Sequence, residues 1–132
     1  MNTRKASCSC GQLTLTTQAE PIRVSVCHCL ACQRRTGSVF GAQARFQRSA
    51  VTISGEAKQY VRIADEGSQV TFSFCPTCGA TVHYAVDGYD EESIAVPVGA
   101  FADPGFPVPT FSVYEERMHS WVGLPGDVEH MA

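Results

Sequence analysis

The chain has 132 residues, a length that corresponds to one domain because domains hold about 100 to 200 residues. Its 44% hydrophobic and 17% charged residues exclude a disordered chain or a coiled coil, and its net charge of -3 disfavours a nucleic-acid partner. Since no apolar run reaches the roughly 18 residues that cross a bilayer, and no apolar signal region follows the polar start, we expect a cytoplasmic protein without membrane contact.

Short runs of β-branched and aromatic residues, separated by Gly, Pro and Ser, predict a mainly β fold with little helix. The intervals between the runs are too short for crossover helices, which disfavours a parallel α/β sheet. One helical turn is predicted at Leu30 to Arg35. The predicted strands are, in chain order, Gln12 to Thr17, Arg23 to Cys27, Val39 to Phe46, Val51 to Ile53, Gln59 to Ile63, Val70 to Phe74, Thr81 to Val86, Ser93 to Val98 and Phe111 to Tyr114.

The last part of the chain, Ala100 to Ala132, holds most of the prolines and the single tryptophan, Trp121. Proline removes a backbone donor and disfavours regular strands and helices. We therefore predict an irregular segment whose aromatic side chains pack on the sheet.

Cysteine is the residue type that departs most from the average, with 7 residues, an odd number. A reducing cytosol keeps thiols free for metal binding or catalysis, so this count points to a metal protein. The cysteines form three clusters, namely Cys8 with Cys10, then Cys27 with Cys29 and Cys32, then Cys75 with Cys78.

The segment Cys75-Pro76-Thr77-Cys78-Gly79 has the spacing and turn residues of a zinc knuckle. Proline fixes the backbone of the turn, so that N–H groups can point at the sulfur atoms and stabilise the thiolates. A chance pair of core cysteines is one alternative. A redox C-x-x-C motif is another, but that motif usually begins a helix after a βα unit, which this β-rich pattern lacks.

A structural zinc needs four ligands, so the knuckle requires a second pair of cysteines. Cys8 and Cys10 lie in a tight C-x-C-G turn that can supply them. The competing assignment uses two of the three central cysteines and leaves Cys8 and Cys10 unused. The first assignment is favoured because it leaves the C-x-C-x-x-C segment as an intact chelating triad.

The triad of Cys27, Cys29 and Cys32 provides three thiolates and leaves the fourth tetrahedral position for water or substrate, as a catalytic zinc requires. Such a soft site favours a thiol as the fourth ligand. The alternative is a second structural zinc closed by His28 or by a distant histidine such as His83. His28 lies between two ligands, so its side chain is expected to point away from their metal.

Arg34 and Arg35 follow the triad directly. They can offset the charge of the thiolates or bind a substrate carboxylate, and a solvated basic turn is the alternative interpretation. A Ser-His-Asp hydrolase is disfavoured because the chain has no G-x-S-x-G motif.

The three clusters together resemble the glutathione-dependent formaldehyde-activating enzyme family, which includes centromere protein V. The matching segments are Cys8 to Gly11, Cys27 to Ser38 and Cys75 to Gly79. The resemblance implies an Mss4-like fold of antiparallel β-sheets over a single zinc-binding domain, residues 1–132. It also implies a structural zinc at Cys8, Cys10, Cys75 and Cys78, and a catalytic zinc at Cys27, Cys29 and Cys32. Members commonly carry a histidine ahead of the tryptophan where this chain has Ser112, so no role of that histidine is carried over.

The resemblance implies a carbon–sulfur lyase that joins glutathione and formaldehyde as S-hydroxymethylglutathione. Glutathione, or another small thiol, is then the expected partner. The alternative is a non-enzymatic zinc module that binds a partner macromolecule.

Overall fold

A computed structural model describes residues 3–88 and 92–132 of the chain. Strands dominate it, as predicted, and one short α-helix is present. In chain order the elements are β1 (Arg4–Ser7), β2 (Thr14–Thr17), β3 (Arg23–Cys27), α1 (Leu30–Thr36), β4 (Gly41–Gln47), β5 (Val51–Ser54), β6 (Lys58–Ile63), β7 (Gln69–Phe74), β8 (Thr81–Val86), β9 (Ser93–Pro97), β10 (Phe111–Val113) and β11 (Glu129–His130). Short 3-10 turns lie at Arg48–Ala50, Val98–Phe101 and Glu115–Arg117.

The strands form two sheets. The smaller sheet is antiparallel, in the order β1-β2-β5, and the larger one has eight strands in the order β11-β10-β3-β4-β9-β8-β7-β6. The expected antiparallel pairing holds for most neighbouring strands, and the exception is one edge, where β10 runs parallel to both β3 and β11. Parallel neighbours need a long connection, and the 83 or so residues between β3 and β10 provide one.

The main core contains apolar side chains from both sheets, so the two sheets pack against each other. β1 and β2 contribute Ala6 and Leu15, while the large sheet contributes Phe46, Ile94 and Val96 among others. A smaller cluster lies on β7, β8 and β9, with Val70, Phe72, Tyr84 and Ala95. Phe72 of this cluster lines a cavity described below.

The irregular tail contributes two of its aromatic residues to this core, as predicted. Phe101 and Phe106 are buried with their ring centroids 4.7 Å apart. The same expectation is wrong for Trp121, whose side chain is 73% exposed. Within the described residues its single aromatic contact is with the ring of His119, which it meets edge-on. No helix of the described residues is long and apolar enough to span a membrane.

Two strands, β1 and β11, were not predicted from the sequence. β1 has the sequence Arg-Lys-Ala-Ser, in which only Ala6 is buried, and β11 has two exposed residues. The polar side chain of Arg4 is held by two contacts. Its guanidinium forms an ion pair with the Glu20 carboxylate at 3.0 Å and packs on the Phe106 ring. These contacts are tertiary and leave no periodic signal.

Gly55 directly follows β5 and lies against Gln12 and Leu13, just after the turn that holds Cys8 and Cys10. Its φ is +103°, and a Cβ there would overlap the Gln12 carbonyl oxygen and lie 2.9 Å from Leu13 Cα. We expect Gly55→Ala to destabilise the protein by at least about 2 kcal/mol in denaturant unfolding, because rigid backbone must move.

Gly67→Ala is the matched control. Gly67 has a similar φ of +98° but no neighbour within 4 Å, so only the backbone strain of about 1 kcal/mol is expected. Equal losses in the two variants would show that Gly55 is not required for close approach.

Candidate metal centres

The first cysteine cluster joins the two sheets. Cys8 and Cys10 lie in the turn between β1 and β2, and Cys75 and Cys78 lie in the turn between β7 and β8. Their four sulfur atoms all lie within 4.8 Å of one another, and Cys10 Sγ is 3.6 Å from both Cys8 Sγ and Cys75 Sγ. This group could hold one metal ion, and four sulfur donors are the set that structural zinc prefers.

Both turns aim hydrogen-bond donors at these sulfur atoms. The Leu13 N–H donates to Cys8 Sγ at 3.3 Å, and the Thr77 N–H donates to Cys75 Sγ at 3.4 Å. Such donors stabilise the thiolate form that a metal requires. The knuckle closes on itself through a hydrogen bond of 2.8 Å from the Gly79 N–H to the Cys75 carbonyl oxygen.

Gln12 is a support of this cluster that the sequence analysis missed. Its Nε2 donates to Cys75 Sγ at 3.0 Å and to the Glu56 carbonyl oxygen at 2.7 Å, while its Oε1 accepts from the Glu56 N–H at 2.9 Å. Burial alone would raise the pKa of Cys75, but the Gln12 amide and backbone N–H groups of the knuckle outweigh it and lower that pKa to about 6. A lone glutamine after C-x-C-G gives no signal of a contact 63 residues away.

The second cluster is formed by one short segment. Cys27 ends β3, Cys29 caps the N-terminus of α1, and Cys32 lies in the first helical turn. The three sulfur atoms lie within 4.8 Å of one another, and Cys29 Sγ accepts a hydrogen bond of 3.3 Å from the Cys32 N–H. This group could also hold a metal ion.

The protonation of the three thiols is strongly linked. Hydrogen bonds from Cys27 and Cys32 hold the pKa of Cys29 well below its ordinary value, and the contact with Cys29 raises the pKa of Cys27. One thiol therefore ionises easily, and its negative charge disfavours ionisation of the other two, because like charges in contact repel. A divalent cation removes this opposition, so the donor set suits a metal whose binding releases protons.

Neither candidate histidine joins a sulfur cluster within the described residues. His28 is fully buried, and its Nε2 lies 2.9 Å from Ser112 Oγ, away from the sulfurs as its place between two cysteines predicts. Burial lowers its pKa, which favours the neutral ring. His83 lies on β8 with its Nε2 buried and without a hydrogen-bond partner.

Gln33 connects α1 to the irregular C-terminal segment through hydrogen bonds, and the sequence analysis did not assign it this role. Its Nε2 donates to the carbonyl oxygens of His28 at 2.9 Å and Arg117 at 3.2 Å, and its Oε1 lies 3.1 Å from His119 Nε2. The segment before Trp121 is thereby held next to the triad. Arg117 and His119 lie more than 80 residues from Gln33 in sequence, beyond the reach of any local pattern.

A cavity of about 500 Å³ lies between the helix of the second cluster and the knuckle of the first. Ala31, Arg34 and Arg35 line one side, and Gly79 and Thr81 line the other. The Arg35 guanidinium lies 5.2 Å from the ring centroid of Phe72 and 5.0 Å from that of Tyr84. Of the two arginines predicted from the sequence, Arg35 is half-buried and Arg34 is exposed.

The role of Gln12 predicts the effect of Gln12→Glu. The carboxylate keeps an acceptor for the Glu56 N–H, but it removes the donor to Cys75 Sγ and places a negative charge beside the thiolate. We expect metal affinity to fall about 10- to 100-fold in chelator competition.

The exposed Gln18→Glu is the control for added charge and should leave metal affinity unchanged. If Gln12→Glu also retains its metal as tightly as the unmodified protein, the Gln12 contact has no role in the cluster.

Comparison with solved structures finds a crystal structure of a Rhodobacter sphaeroides protein with a TM-score of 0.56. The two share 22% sequence identity over 73% of this chain and 85% of the other, which shows a similar fold. No curated protein matches the sequence. The sequence profile of the glutathione-dependent formaldehyde-activating enzymes matches residues 3–121. Because this match covers nearly the whole chain, including all seven cysteines, the chain belongs to the glutathione-dependent formaldehyde-activating enzyme family.

Proposed function

We propose that the chain is a zinc-dependent carbon–sulfur lyase, formed by one zinc-binding domain over residues 1–132, whose substrate is a thiol adduct such as S-hydroxymethylglutathione. The observation that carries the proposal is a group of three cysteine sulfurs that finds no fourth protein ligand among the described residues, on the helix that borders a cavity of about 500 Å³. Membership of a family described as glutathione-dependent and formaldehyde-activating supports the substrate class.

The two clusters have different roles in this proposal. Cys8, Cys10, Cys75 and Cys78 fill the four positions of a tetrahedral zinc and leave none for a substrate, so their zinc is structural. Cys27, Cys29 and Cys32 provide only three ligands. A zinc ion held there supplies Lewis acidity and an open ligand position, to which a soft thiolate is well suited.

The protein's own residues bind and orient the thiol. Arg34 and Arg35 line the cavity and are suited to bind carboxylates of glutathione through charge-assisted hydrogen bonds. Packing on Phe72 and Tyr84 restricts the Arg35 side chain, so less conformational entropy is lost when it binds a ligand. Cys27 and Cys32 are buried, which keeps bulk water away from the reacting groups.

The reaction balances without an oxidant or a reductant. In the synthetic direction the glutathione sulfur forms a bond to the formaldehyde carbon, the carbonyl π bond breaks, and the thiol proton ends on the oxygen as a hydroxyl. The lyase direction reverses each step. An enzyme that only positions the thiolate and the aldehyde accelerates both directions equally.

The division of roles predicts different outcomes for cysteine variants. Cys8→Ser and Cys78→Ser should unfold the protein, because a structural zinc contributes roughly 10 to 16 kcal/mol in peptides, against roughly 5 to 15 for a whole domain. Cys29→Ser should remain folded and lose its second zinc. Circular dichroism melting with metal analysis measures both, and Ser9→Ala, between the two ligands of the first turn, is the control. Equal melting of the two classes would contradict the division.

The open ligand position predicts that glutathione protects the second zinc. A chelator should remove that zinc first, and added glutathione should slow its removal by occupying the position. Arg35→Ala should weaken this protection about tenfold to a hundredfold, since a charge-assisted hydrogen bond contributes roughly 1.5 to 3 kcal/mol.

Arg117→Ala, an exposed change outside the cavity, is the control for lost charge. Exchange spectroscopy with formaldehyde at limiting enzyme measures turnover in the same sample. No protection and no faster exchange would exclude glutathione as the substrate. Protection without exchange would indicate a thiol-binding module instead of an enzyme.

A further inference from the structure

A third arginine, Arg62, enters the cavity from the strand opposite α1. It lies on β6, the edge strand of the large sheet, and it lines the cavity together with Tyr60. Sequence spacing gave no reason to group it with Arg34 and Arg35, from which it is separated by more than 25 residues.

The burial of β6 runs against the polarity of its side chains. Val61 and Ile63 are 47% and 60% exposed, whereas Arg62 is the single half-buried residue of the strand. Packing of the arginine stem and of its guanidinium on the Phe72 ring offsets the cost of this burial. The contact holds the guanidinium at the cavity, where it can meet a ligand.

Arg62 and Arg35 converge on the same aromatic ring. The Arg62 guanidinium carbon lies 5.7 Å from the Phe72 ring centroid, and that of Arg35 lies 5.2 Å from it. Neither guanidinium forms an ion pair within the described residues, and the cavity is lined by three arginines and no acid. Glu66, on the turn that follows β6, accepts a hydrogen bond of 2.7 Å from Ser68 Oγ, which lowers the pKa of its carboxyl, and the charge of Arg62 adds to this effect without an ion-pair contact.

Cations that share a cavity repel one another, and a bound anion relieves that repulsion. A cleft lined by one sign of charge also raises the local concentration of oppositely charged ligands. Gly41 leaves room for this arrangement at the triad, because a Cβ there would lie 3.1 Å from Arg35 Nη2 and 3.6 Å from Cys32 Sγ. Arg35 and Cys32 of the triad therefore lie close together at Gly41, and Arg35 also lines the cavity.

We propose that Arg62 is a specificity-determining residue that binds a carboxylate of the thiol substrate, so that the cavity selects anionic thiols over uncharged analogues. This rests on the proposed function, because it assumes that the thiol reaches the triad through this cavity. Arg62 acts on recognition and needs no contact with the reacting sulfur.

The test uses S-methylglutathione, which keeps both carboxylates but lacks the free thiol that would bind metal. It is titrated by calorimetry into the zinc-loaded full chain and into the Arg62→Gln and Arg62→Lys variants. Arg62→Gln should weaken binding about tenfold to a hundredfold, and Arg62→Lys should recover part of the loss. The diethyl ester of S-methylglutathione, which keeps the ammonium group but has no carboxylate, should bind weakly to all three proteins.

Lys58→Gln is the matched control, since Lys58 lies on the same face of β6, is exposed and does not line the cavity. It removes one positive charge and should leave binding unchanged, and melting temperatures verify that each variant is folded. Equal affinity of the unmodified protein and Arg62→Gln, equal affinity for the acid and its ester, or no binding at all would overturn the proposal.

A separate measurement distinguishes this outcome from failure of the proposed function. Uncharged 2-mercaptoethanol should protect the second zinc from a chelator in both the unmodified protein and Arg62→Gln. If it does so while S-methylglutathione binds the unmodified protein and Arg62→Gln with equal affinity, only the specificity proposal fails. If no thiol protects the zinc, the proposed function fails, and the S-methylglutathione titration still decides the role of Arg62.

Discussion

The contact between two cysteine turns is the interaction on which the rest of the structure depends. Cys10 follows the first strand of the small sheet, Cys75 follows a strand of the large sheet, and their sulfur atoms meet at 3.6 Å although 65 residues separate them. Four thiols at this distance repel one another once they ionise, so the cluster needs a cation to be stable. A metal ion held at this point would cross-link the two sheets across the core that they share.

The contact between the two cysteine turns also positions the cavity. The knuckle fixes Gly79 and Thr81, while the segment of the second cluster places Ala31 and the two arginines opposite them. The four-cysteine group thus lies where the two sheets meet, and the helix that carries part of the three-cysteine group borders the space that a ligand can enter. In our proposal this separation allows one short segment to remain coordinatively incomplete, because the stability of the fold does not depend on it.

Local sequence was sufficient for nine of the eleven described strands, the helix and the three cysteine clusters, since turn residues and C-x-x-C spacing act over a few residues. Ligand number favoured the grouping of the first and third clusters over the competing assignment, and the family resemblance implied it. The remaining features are tertiary. Gln12, Gln33 and Arg62 act on partners far along the chain, and each is an ordinary polar residue in its local context. Trp121 was expected to pack on the sheet, but the buried positions there are filled by Phe101 and Phe106.

The central claim is that one zinc is closed by four sulfurs and the other is held by three. X-ray absorption at the zinc edge measures this directly in the zinc-loaded protein. We expect an average of between three and four sulfur ligands per zinc, with a light atom as the fourth ligand of the second zinc. The average should rise to four sulfurs when a small thiol is added. Four sulfurs per zinc before any thiol is added, or a histidine nitrogen that persists after it, would contradict the account.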